Sequence, residues 1–155
     1  MQLPEPPTGR FDGALHLFPV RVYFEDTDLS GVVYHANYLR WFERARSDML
    51  RVLGIDQRAA HDGGEGAYAV SELAIRYLRP AKLDDAVLIR SETLEIAAAS
   101  CRIRQQARRG DDLLAEASVR AAFVAPSGRP RRQPREWIAA FQTVLAPSSQ
   151  SEGTR

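Results

Sequence analysis

The chain has 155 residues, 45% of them hydrophobic, with 21 basic against 20 acidic side chains and a formal net charge of +1. That length suffices for one domain with a real core, and the balanced charge removes the compositional case for nucleic-acid binding. A single cysteine, Cys101, excludes an intrachain disulfide, and no apolar run approaches the roughly 20 residues that span a bilayer, so a soluble cytoplasmic protein is expected.

The N-terminus, MQLPEPPTGRFDG, has acidic residues and prolines where a signal peptide carries a basic start and an apolar stretch. Residues 1–16, rich in Pro and Gly, read as a flexible arm, residues 17–145 as a single domain, and residues 146–155 as a disordered tail. Residues 18–24, with Val20, Val22, Tyr23 and Phe24, predict a strand. Three acidic residues follow, Glu25, Asp26 and Asp28, then Gly31 and His35.

A long helix is predicted over 37–53, capped by Asn37 or a neighbour and closed by Gly54. Tyr38, Phe42, Ala45, Met49 and Val52 recur at three- and four-residue steps, widened by Leu39, Trp41, Leu50 and Leu53. Arg40, Glu43, Arg44, Ser47, Asp48 and Arg51 form the polar side. Residues 56–61 suit another short helical turn, and GGEG at 63–66 a flexible loop. The remainder reads as sheet, with strands over 67–79, 86–97, 100–109 and 112–125, and a short closing helix over 135–145. In the last strand Leu113, Ala115, Ala117, Val119, Ala121 and Phe123 alternate with Glu116, Ser118 and Arg120, the period of a half-buried strand. Short connections make these strands antiparallel, so one buried helix against one curled antiparallel sheet, an α+β arrangement, is expected. Its free edges favour self-association.

The chemistry concentrates in residues 25–37. A carboxylate such as Asp28 can act in acyl transfer as nucleophile or as general base for water. Gly31 permits close approach of backbone to a carbonyl, and unpaired amides at the helix start can face an oxyanion. Taken alone, however, DTD before a helix favours a turn and cap cluster, and a lone histidine is usually structural or solvated. His16, His35 and His61 make no metal-ligand pair, Cys101 reads as a small core residue, and no nucleophile elbow or phosphate loop is present. Two arginine groups stand out, Arg102, Arg104, Arg108 and Arg109, then Arg129, Arg131, Arg132 and Arg135. Their default is solvated charge, and the functional alternative is a clamp for an anionic ligand.

EDTDLSGVVYHANYLRWFERAR resembles the signature segment of the 4-hydroxybenzoyl-CoA thioesterase-like hotdog family, in particular the Tol–Pal-associated acyl-CoA thioesterase branch. AVSELAIRYLRPAKLDDAVLIRSE and LAEASVRAAFVAPSGRPRRQPREW resemble later strands of that family, so the resemblance covers about residues 18–140. It implies a hotdog fold, in which a curved antiparallel sheet wraps a central helix. It also implies a homodimer or homotetramer with sites at the subunit interface, and acyl-CoA hydrolysis without metal or cofactor. Carried over by residue, Asp28 is the catalytic carboxylate and His35 assists. Gly31, Val32 and Tyr34 position the oxyanion and substrate, and Arg129, Arg131 and Arg132 are first candidates for the CoA phosphates. Some members have tyrosine where this chain has Phe24, with Tyr23 one position earlier. An acyl carrier protein is a further candidate partner. The competing readings are a hotdog enoyl-CoA hydratase or dehydratase and a non-catalytic acyl-CoA or acyl-carrier-protein binding module.

Overall fold

The structure, a computed structural model, describes residues 1–147. Its elements in chain order are β1 (Arg10–Asp12), β2 (Leu15–Arg21), a single 3-10 turn (Phe24–Asp26), α1 (Asn37–Val52), α2 (Gln57–Asp62), β3 (Ala67–Tyr77), β4 (Ala86–Ile96), β5 (Ser100–Arg109), β6 (Asp112–Val124) and α3 (Arg135–Gln142). The strands form one antiparallel sheet in the order β1-β2-β4-β5-β6-β3. Register shifts at Val70/Glu72, Thr93/Glu95 and, opposite Ala107/Arg108, at Leu114 add local twist to β3, β4 and β6, the curvature needed to wrap a helix. This is the α+β hotdog arrangement expected from the sequence.

The sheet grips α1 through two adjoining clusters. Phe18, Val22, Trp41, Phe42, Ile89, Leu114 and Val119 bury against the first half of the helix. Met49, Leu50, Ile55, Cys101, Ile103 and Phe141 close the second. Cys101 is thus a core residue, as its sequence context implied.

Four sequence expectations are corrected. The arm expected over residues 1–16 is folded from Arg10 onward, because β1 adds a short edge strand to β2, whose own first residues are Leu15 and His16. The strand expected over 18–24 ends at Arg21, since the Asp26 carboxylate accepts the Tyr23 N–H and curls the chain. Of Asn37 and its neighbours, Ala36 takes the cap position of α1 and offers no side-chain bond, while Asn37 is the first helical residue and its amide donates to Asp26. Val52 lies 40% exposed beyond the sheet, while Asp48, assigned to the polar side, is buried. Asp48 Oδ2 accepts from the Gly9 N–H at 3.0 Å and lies 2.7 Å from His16 Nε2. Gly9 fits here because a Cβ would stand 2.5 Å from Asp48 Oδ2 and from the Leu17 carbonyl. The tail expected over 146–155 falls, from residue 148, outside the described residues.

Candidate active site

Between β2 and α1 the chain makes two turns whose carboxylates have opposite fates. In the first, Asp26 is buried, its Oδ2 accepting the Tyr23 N–H at 2.8 Å and its Oδ1 the Asn37 side-chain amide. Its carbonyl accepts the Tyr34 N–H at 2.9 Å. Asp26 therefore pins the second turn to the start of α1.

In the second turn, Thr27 and Val33 face each other as an antiparallel bridge, and Asp28 to Val32 form the tip. The Asp28 N–H donates to the Val32 carbonyl at 2.9 Å, and the Gly31 N–H to the Asp28 carbonyl at 3.1 Å. Gly31 has φ +83, a conformation that glycine adopts without a Cβ penalty. The Asp28 side chain is exposed and faces outward from this tip. Its Oδ1 accepts both the Ser30 hydroxyl and the Ser30 N–H, the latter at 2.8 Å. The hydroxyl first, then the amide, holds the Asp28 carboxyl below its ordinary value of 3.8. Asp28 is consequently an ionised, solvent-facing carboxylate on a braced turn.

His35 stands at the foot of α1, exposed, with ring centroids 4.6 Å from Tyr34 and 6.1 Å from Tyr77. The Tyr77 hydroxyl donates to the His35 carbonyl at 2.7 Å, tying the end of β3 to the helix start. A cavity of about 280 Å³ opens there, lined by His35, Tyr38, Tyr77 and Pro80 among others. Among the described residues no hydrogen bond joins Asp28 to His35, and the N–H groups of His35, Ala36 and Tyr38 meet no acceptor. These open amides sit at the positive end of a 16-residue helix, where negative charge is favoured.

The geometry amends the site read from sequence. Asp28, Gly31, Val32, Tyr34 and His35 share one loop. Yet the Gly31 and Tyr34 amides are spent on the carbonyls of Asp28 and Asp26, so neither is available to an oxyanion. The Val32 N–H also contributes to lowering the Asp28 pKa, which turns it toward that carboxylate. Tyr23 and Phe24 are 63% and 81% exposed at the 3-10 turn, so both rings stand outside any strand. Arg129, Arg131 and Arg132 follow β6 at the end where Ala67 pairs with Val124, while Asp28 lies near the Tyr77–Ala115 end. That separation is about 30 Å along one strand pair. Arg131 donates to the carbonyls of Gly64 and Glu65 at 3.1 and 2.7 Å, bracing a loop, whereas Arg129 and Arg132 are exposed. In the other arginine group, Arg104 pairs with Glu92 at 3.0 Å and Arg109 with Asp85 at 2.8 Å. Sequence reasoning missed Tyr77 and the Asn37–Asp26 clamp. Tyr77 had no local signal, since its partner lies 42 residues away.

The sequence matches the family model described as Thioesterase superfamily over residues 30–119, a match that begins two residues after Asp28. It is 43% identical over 125 residues to the acyl-CoA thioesterase YbgC of Haemophilus influenzae, covering 80% of this chain and 92% of that protein. The acyl-CoA thioester hydrolase YbgC of Escherichia coli O6:H1 is 38% identical over 130 residues, covering 83% and 96% respectively. The crystal structure of a probable thioesterase from Bartonella henselae superposes with a TM-score of 0.74 at 38% identity, covering 77% of this chain and 99% of that one.

Proposed function

The chain belongs to the thioesterase superfamily, and on that premise we propose that it hydrolyses acyl-CoA thioesters with Asp28 as the catalytic carboxylate. The observation that carries this reading is the state of Asp28: exposed, ionised and braced by Ser30, beside a helix whose first amides are open.

In the proposed reaction the thioester carbonyl lies over the start of α1, its oxygen toward the N–H groups of His35, Ala36 and Tyr38. Asp28 either attacks the carbonyl carbon or takes a proton from the attacking water. The C–S bond breaks and CoA leaves as a thiolate; where Asp28 attacked, water then hydrolyses the acyl-aspartyl anhydride and frees the carboxylate, and by either route the products are the free acid and CoA. A thiolate leaves readily, so no strong general acid is required. His35 assists from the helix start, with Gly31 and Val32 shaping the turn and the Tyr34 ring flanking the histidine. The reaction draws on no metal or cofactor.

The site is completed by a second copy. Strand β3 is an edge strand of 11 residues, with Val70, Leu73 and Tyr77 at 51%, 42% and 43% exposure. An unpaired, apolar edge of that length is a template for another strand. Antiparallel pairing of two β3 edges sets the Ala67 end of one copy beside the Tyr77 end of the other. Arg129 and Arg132 of one copy then approach Asp28 of the other, as ligands for the CoA phosphates. A cytoplasmic location, the Tol–Pal association, and acyl carrier protein as an alternative acyl donor belong to the same reading. No helix among the described residues is long and apolar enough to cross a membrane.

The test is free-thiol release from a panel of acyl-CoAs by wild type and Asp28→Asn. The substitution should lower turnover by about 10²–10⁴-fold, the usual worth of a positioned acid–base group, without altering the circular dichroism spectrum. Near-normal turnover in the variant would remove Asp28 from the chemistry.

A further inference from the structure

A second cavity, of about 260 Å³, lies under the other half of α1, bounded by Met49, Leu50, Ile103 and Phe141 and by the first residues of β3, Tyr68 to Val70. Its floor is apolar, while Glu43, Arg46, Ser47 and Gln57 give it a polar side. The part-buried Arg46 guanidinium reaches from α1 and donates through one nitrogen to Gln105 Oε1 at 2.8 Å. Gln105 is fully buried and fixed in turn, its amide nitrogen donating to the Phe42 carbonyl at 2.9 Å and to Ser91 Oγ at 3.0 Å. Arg46 is therefore held in place by a rigid acceptor. Yet a guanidinium carries five N–H donors, and among the described residues Arg46 meets no other acceptor and no carboxylate within ion-pair distance. Glu43, the acidic residue in the cavity lining, is exposed at its solvent rim.

A part-buried cation with unspent donors, set beside an apolar floor, is poorly matched to a plain hydrocarbon chain, which would strip its remaining water and return no acceptor. A carboxylate satisfies it with two parallel charge-assisted bonds. The volume holds roughly eight or nine water- or methylene-sized groups, the size of a short chain with a terminal carboxylate. From this cavity we propose that the enzyme takes acyl groups that end in a second carboxylate, with Arg46 binding that distal end. The proposal rests on the thioesterase reading above, including the second copy. Within one chain Val70 and Tyr77 are about 23 Å apart along β3, and antiparallel pairing of the β3 edges sets the cavity of one copy beside Asp28 of the other.

The experiment compares hexanedioyl-CoA with hexanoyl-CoA by free-thiol release. It also titrates the free acids, hexanedioate and hexanoate, into the full-length protein by calorimetry, using wild type, Arg46→Met and Arg46→Lys. Wild type should favour the hexanedioyl ester at least ten-fold in kcat/KM and bind hexanedioate at least ten-fold more tightly than hexanoate. Arg46→Met should abolish both preferences, and Arg46→Lys, which keeps the charge but not the fork, should retain part of each. Equal kcat/KM for the two esters in wild type, or an unchanged ratio in Arg46→Met, would overturn the proposal. The wild-type ratio is decisive even if the methionine variant fails to fold. If neither ester releases thiol, the hydrolase reading fails by itself. In that case hexanedioate binding lost in Arg46→Met still supports the carboxylate site, and absent binding rejects it.

Discussion

Asp26 and Asp28, two residues apart, differ in every respect that matters to catalysis. Asp26 is 9% exposed and its oxygens are spent on Tyr23 and Asn37, whereas Asp28 faces solvent with the Ser30 donors on one oxygen. Burial and full hydrogen bonding make Asp26 a support, whereas exposure leaves the ionised Asp28 accessible for the role proposed for it. Asn37→Ala removes the side-chain donor to a buried carboxylate, a loss of about 1–3 kcal/mol. The thermal midpoint should fall accordingly, by about 2–4 °C per kcal/mol for a chain of this size. Because the clamp also aims the Asp28 turn, kcat/KM should fall while KM alone changes less. The pH dependence of the reaction has its own sign. Asp28 titrates below its ordinary 3.8 and is already ionised through the neutral range. No acid limb of thiol release assignable to it should appear above about pH 4, which a kcat/KM profile from pH 4.5 to 8 will test.

At the scale of elements, β2 and α1 are joined by a buried polar contact, His16 to Asp48. Burial, outweighing the neighbouring carboxylate, lowers the His16 pKa from its ordinary 6.5, and its Nδ1 has no partner among the described residues. The folded chain therefore holds this ring neutral while the unfolded chain protonates it near 6.5. The resulting stability is present above pH 6.5 and declines as pH falls below it, because the unfolded state then binds the extra proton. Melting curves at pH 8 and pH 5.5 should show the decline, and His16→Phe should reduce it. This contact also marks where sequence reading stops. The strands expected over 67–79, 86–97, 100–109 and 112–125 and the helix over 37–53 were legible to within two residues of those observed, since periodicity and Gly or Pro punctuation are local signals. Strand β1 was not, because three residues, Arg10–Asp12, form a strand only by pairing with β2. Nor was the burial of Asp48, whose partner lies 32 residues away on another element. In the site, the loop holding Asp28 and His35 was legible from the motif. Which of its amides are already spent depends on the closure of the turn, a property of the folded chain and not of the local sequence.

Taken as a whole, the molecule has an unequal sheet. One edge ends in the three-residue β1, the other in the 11-residue β3 with its exposed Val70, Leu73 and Tyr77. Leu73→Lys places a charge on that long edge and should shift the protein toward monomer in light scattering after gel filtration. Thiol release should drop at least ten-fold in parallel, since the proposed site needs both copies, while the circular dichroism spectrum is retained. The short edge has a different consequence. Gly9, hemmed in by Asp48 Oδ2 and the Leu17 carbonyl, is the point where the chain first becomes part of the fold. In a saturation library positions 2–8, all exposed, would accept nearly any residue, and the ninth almost none. Tolerance to substitution would change across a single peptide bond, so an affinity tag or fusion partner belongs before that glycine and never in its place.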